Sequence, residues 1–118
     1  MREERGQILG DVTWAEKVEF WGSISGTLTV ADGGKVYMRG VIYGDLVVQD
    51  GGRVHVYGNV GSDLIVHEGA KVIHGGTVTG NLINQGGRLF VEQVAKVLGR
   101  VKARKGETKF ERGSPLAQ

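Results

Sequence analysis

The chain has 118 residues, a length for one domain, and contains 21 Gly, one Pro and no Cys. Glycine is far above its ordinary usage of roughly 7%, yet the single Pro excludes a collagen or Pro/Gly linker, and the missing Cys excludes disulfide frameworks and thiolate chemistry. The net charge of +2 is too small to point to nucleic acid, and no run approaches the ~18 apolar residues of a membrane span.

The chain opens on Met1-Arg2-Glu3-Glu4-Arg5, charged and without an apolar stretch behind it, which argues against a signal peptide; residues 1–6 read as an N-terminal tail. A repeat begins at residue 7. Stepping by six from Ile24 gives Val30, Val36, Ile42, Val48, Val54, Val60, Val66, Val72 and Val78, all apolar and β-branched. A 3.6-residue helical period would not hold this series on one face, whereas strands separated by regular corners would. A longer period of eighteen aligns Leu28, Leu46, Leu64 and Leu82, and also Gly40, Gly58 and Gly76.

The repeat predicts coils at 7–22, 23–40, 41–58, 59–76, 77–93 and 94–113. The first is two residues short and the fifth one short, its deletion falling before Gly86-Gly87. Residues 114–118 read as a C-terminal tail. The expectation is an all-β, single-domain parallel β-helix of about six turns with a triangular cross-section, side chains alternating in and out and glycines at the corners. Residues 102–118 carry Lys102, Arg104, Lys105, Lys109 and Arg112 against Glu107 and Glu111 and read as a solvated basic terminus.

Charge follows the same register. Asp32, Asp50 and Glu68 fall in one column, and Lys35, Arg53 and Lys71 in another three positions on. Opposed columns relieve each other's repulsion, and solvated corner residues account for the acidic column better than a cation site does.

The stretch Gly76-Thr77-Val78-Thr79-Gly80-Asn81-Leu82, followed by Gly87-Arg88-Leu89-Phe90-Val91 and Ala95-Lys96-Val97-Leu98-Gly99-Arg100-Val101, resembles the bactofilins. Gly40-Val41-Ile42-Tyr43-Gly44-Asp45-Leu46 repeats the first element, and Gly106 to Gly113, with Phe110, looks like the family's closing element. The resemblance covers about residues 7–113. It implies a right-handed parallel β-helix, a β-solenoid that polymerises end to end into a bacterial cytoskeleton without a nucleotide.

The sequence offers no reaction. A left-handed hexapeptide acyltransferase shares the eighteen-residue period, but it wants small residues after each apolar position, where this chain has Tyr37, Tyr43, Gln49, His55 and His67. His55, His67 and His74 share no column and do not converge as metal ligands would; His74, aligned with Met38 and Val56, reads as a hydrogen-bonded lining residue. No Ser–His–carboxylate spacing and no Gly-rich loop followed by Lys-Ser/Thr is present.

Trp14, Phe20 and Trp21 in the first turn, and Phe90 and Phe110 in the last two, are the candidates for end-capping or self-association. The expectation is a non-enzymatic, cytoplasmic, bacterial structural protein that pairs with itself through its solenoid ends, without cofactor or metal. It would take no nucleic acid, have no transmembrane segment and at most a doubtful membrane association. The alternative is a stand-alone interaction module, immunity- or antitoxin-like, that binds a protein through one face.

Overall fold

The computed structural model describes residues 1–117 and contains strands without any helix. Strand β1 (Arg2–Glu4) precedes six coils. The first holds β2 (Gln7–Ile8), β3 (Val12–Trp14) and β4 (Lys17–Phe20); the second β5 (Ser23–Ile24), β6 (Leu28–Val30) and β7 (Lys35–Met38). The third holds β8 (Val41–Ile42), β9 (Leu46–Val48) and β10 (Arg53–Val56); the fourth β11 (Asn59–Val60), β12 (Leu64–Val66) and β13 (Lys71–His74). In the fifth, β14 (Thr77–Val78) leads to a long β15 (Leu82–Val91), and in the sixth, β16 (Lys96–Val97) leads to β17 (Val101–Phe110).

Each strand pairs in parallel with its counterpart one coil away, which makes the chain a β-solenoid with three faces. The short face stacks β2, β5, β8, β11, β14 and β16. The leucine face stacks β3, β6, β9, β12 and the first parts of β15 and β17. The broad face stacks β1, β4, β7, β10, β13 and the last parts of β15 and β17.

The six-residue series lines the lumen: all ten residues from Ile24 to Val78 are buried. The leucine column Leu28, Leu46, Leu64 and Leu82 is fully buried and in Cα register. Alternation along extended strands sends every second residue inward, and the core is one continuous cluster.

Close stacking of coils dictates where side chains are forbidden. A Cβ at Gly40, Gly58 or Gly76 would overlap the carbonyl oxygen of Gly22, Gly40 or Gly58, one coil earlier. Another corner is held by side chains instead. Asp11 Oδ1 accepts the Thr27 N–H at 2.8 Å, Thr27 Oγ1 that of Asp45 at 3.1 Å, and Asp45 Oδ1 that of Asp63 at 2.9 Å. Asp63 Oδ1 then accepts the Asn81 N–H at 2.7 Å, and Asn81 Oδ1 that of Arg100 at 2.9 Å. Each bond ties one coil to the next, and most are charge-assisted.

The shortened fifth coil turns on a buried polar residue. Asn84 stands in the lumen column of Val48 and Val66. Its Oδ1 accepts the Gly86 and Gly87 N–H groups, and its Nδ2 donates to the Gly87 and Glu107 carbonyls and to Thr108 Oγ1. With these bonds the corner dispenses with one residue, and the ladder to β17 shifts register there.

Both presumed tails belong to the fold. Within residues 1–6, Arg2–Glu4 form β1 on the broad face. Within 114–118, Ser114 is buried and Leu116 packs against the core, while Gln118 lies outside the described residues.

Replacing Leu46 or Leu64 by Ala should lower stability by about 2–5 kcal/mol, whereas the exposed Gln49→Ala should be nearly neutral. Gly58→Ala should prevent the coils from closing and cost at least as much as either leucine change. Urea denaturation followed by circular dichroism checks all of these.

Candidate interaction surfaces

The five aromatic candidates do not form one cluster. Trp14 and Phe20 point into the lumen, both buried, and meet edge to face with ring centroids 5.5 Å apart. Phe110 is partly buried against the core at the C-terminal end. Phe90 instead stands outward on the broad face and Trp21 at its border, 37% and 44% exposed. Strand alternation accounts for this: Phe90 sits between the buried Leu89 and Val91. Phe90 is also covered by β17, so it does not lie at an end of the solenoid. The aromatics that plug the first coil are therefore core residues, and those left outside line a flank.

The two ends differ. At the N-terminal end, β1 continues the lumen columns of Val18 and Phe20 with Arg2 and Glu4. The Arg2 guanidinium lies 5.3 Å from the Trp14 ring centroid and pairs with Glu16 at 3.3 Å, so a charged residue covers the aromatic plug. At the C-terminal end the lumen columns of β15 finish in Val101, Ala103, Thr108 and Phe110, and Leu116 packs against the core, all of them at least partly exposed. Among the described residues neither end has a helix over it, and β17 offers a ten-residue edge. Pro115, beside this edge, has no N–H to offer.

The broad face carries the densest outward chemistry. One outward column reads Lys17, Lys35, Arg53, Lys71 and Arg88, in Cα register through β4, β7, β10, β13 and β15. Among the described residues none of these five lies within 4.0 Å of a carboxylate. The acidic corner column of Asp32, Asp50 and Glu68 thus forms no ion pair with Lys35, Arg53 or Lys71. The next outward column reads Glu19, Tyr37, His55, Ile73 and Phe90. Between the two columns lie shallow grooves of about 160 Å³, beside Lys35, Arg53 and Tyr37, and about 310 Å³, beside Lys71, Arg88 and Phe90.

Along the far border of this face, cations and rings alternate. Arg5 and Arg39 each lie 5.1 Å from the Trp21 ring centroid, and Arg39 lies 4.2 Å from that of Tyr57. Tyr57 stacks on His55 at 3.9 Å, and His55 Nε2 reaches Glu92 at 3.3 Å. Arg39 also pairs with Glu19 at 3.2 Å. These rings are engaged with their neighbours, and both carboxylates have partners.

The histidines are dispersed. His55 is on the broad face, His67 follows the leucine face at a corner, and His74 is fully buried in the lumen. Among the described residues no three His, Asp or Glu are grouped to hold a metal. His74 Nε2 donates to the Lys96 carbonyl at 3.1 Å, while Nδ1 has no hydrogen-bond partner among the described residues. Among the described residues no helix is long and apolar enough to cross a membrane.

Comparison with protein-family models, with curated proteins and with solved structures returns no match.

Burial drives the His74 pKa below its ordinary value, against the opposing pull of the Lys96 carbonyl and the Glu92 charge. The unfolded chain therefore takes up a proton at this residue near pH 6.5 while the folded chain does not. Stability should fall as pH drops from about 7 towards 5. His74→Val, which matches Val56 and Val91 in the same column, should flatten that slope. Urea midpoints at pH 8 and pH 5 for both proteins test this.

Proposed function

We propose that this chain is a non-enzymatic, bactofilin-like structural protein of the bacterial cytoplasm that assembles through its solenoid ends. The observation carrying this reading is the C-terminal end, where the free edge of β17 and the partly exposed Val101, Phe110 and Leu116 lie together. An open strand edge templates another strand, and an apolar mouth gains by being covered. Two C-terminal ends meeting about a twofold axis would bury both.

The N-terminal end supports a second contact of another kind. In an antiparallel β1–β1 pairing centred on Glu3, Arg2 of one copy would stand opposite Glu4 of the other. The two Arg2–Glu4 pairs favour that register against the facing Glu3 pair at its centre, where Arg5 neutralises each Glu3 at 2.9 Å. Alternation of the two contacts would produce a filament without polarity.

The assembly should respond to the ends and not to the flanks. Leu116→Glu and Val101→Lys should convert large species into small ones, because an unpaired charge would be desolvated at the contact. Phe90→Arg, on the broad face, should leave assembly unchanged, and Phe20→Arg should act through folding, since Phe20 is fully buried. Sedimentation velocity over a range of concentrations, with circular dichroism to confirm folding, distinguishes these outcomes. A parent protein that remains monomeric at every concentration and salt would exclude end-to-end assembly.

A further inference from the structure

The five-cation column of the broad face is not explained by the fold. Successive coils lie about 4.8 Å apart, so Lys17, Lys35, Arg53, Lys71 and Arg88 form a file of like charge roughly 19 Å long, which ends at Glu107, in register with Arg88 and paired with Lys109 at 3.8 Å. Among the described residues none has a carboxylate within 4.0 Å. Such a file repels itself, and alternatives such as Thr or Gln would fit an outward strand position without that cost.

We propose that the broad face binds a single strand of nucleic acid along this column, independently of end-to-end assembly. The width of the positive charge favours this ligand. Asp32, Asp50 and Glu68 border the file on one side and are exposed. On the other side, Glu19 and Glu92 are held by Arg39 and His55. A flat anionic membrane or a duplex would press on the exposed acidic border, whereas a ligand one chain wide lies clear of it. The grooves beside the cations have apolar or ring side chains on their other wall, Tyr37 in one, Ile73 in both and Phe90 in the other. Phosphates against a basic file with bases against rings and apolar side chains is the arrangement of sequence-tolerant single-strand binding.

The test is fluorescence anisotropy of a labelled twenty-nucleotide oligo(dT) titrated with the full-length chain at several salt concentrations. With up to five phosphates neutralised, the plot of log K against log salt should slope at about −3.5, and each cation removed should reduce the slope by about 0.7. Arg53→Glu with Lys71→Glu should weaken binding about tenfold or more at low salt, while Lys105→Glu, outside the column, should change it little. Both changes relieve like-charge repulsion, so the protein should stay folded, and circular dichroism with sedimentation confirms that folding and assembly are intact. The proposal is overturned by absence of oligo(dT) binding at about 50 mM salt, by binding that the double reversal leaves unchanged, or by tighter binding to a duplex of equal length. Tighter binding to phosphatidylserine vesicles overturns it as well.

Discussion

Everything in this fold depends on the backbone ladder between successive coils. Between the terminal strands, backbone N–H and C=O groups along the strands are satisfied by neighbouring coils, as when Gln49 donates to Val30 and Leu46 donates to Asp63, both at 2.9 Å. Leaving such groups unpaired in a buried setting would cost more than a single bond contributes, so the coils must approach to strand-pairing distance at every strand. That demand sets the other choices. Where the approaching backbone passes directly over a residue, only glycine fits, which gives the Gly22 to Gly76 column. Where a corner N–H would otherwise lack a partner, an Asp, Thr or Asn side chain supplies the acceptor, as in the ladder from Asp11 to Asn81.

The architecture was legible because the ladder forces a period on the chain. The inward series from Ile24 to Val78 and the leucine column could be read directly, since a buried position in one coil recurs in the next. His74 also reads correctly as a lining residue that makes one hydrogen bond, although nothing in the sequence shows that its second ring nitrogen goes unpartnered. Positions where the period breaks were harder. β1 is too short to repeat, so Arg2–Glu4 looks like a charged tail. Ser114 and Leu116 look like another, because only three dimensions bring Leu116 against the core. The role of Asn84 was hidden for the same reason: its five hydrogen bonds reach a corner missing one residue and β17, more than twenty residues away.

The aromatic candidates divide between lumen and flank for a simple geometric reason. Sequence proximity to a solenoid end says which coil a residue occupies but not which way it points. Trp14 and Phe20 fill the lumen of the first coil, and Arg2 lies over Trp14 rather than leaving an apolar end. Trp21 is engaged by two guanidinium groups. The apolar end is the other one, and its residues are the modest Val101, Phe110 and Leu116. A list of large aromatics overlooks two of these three.

Net charge proves a poor guide for a solenoid. A chain with +2 overall can still present a file of five cations, because an eighteen-residue period deals each residue type to one column of one face. Lys35, Arg53 and Lys71 were visible as a column, and Lys17 lies in the same period. Arg88 was obscured because it follows Lys71 by seventeen residues, after the shortened corner. The balancing carboxylates were visible too, but distance decides what they balance: Glu19 and Glu92 are bonded to Arg39 and His55, while those of the corner column stay out of ion-pair range. Charges only a few residues apart along the chain act here as separate surfaces, one acidic border and one basic file. The file runs through five coils and stops at the sixth, where Glu107 takes the position next to Arg88, so the local charge of this flank is set by its columns and not by the sum over the chain.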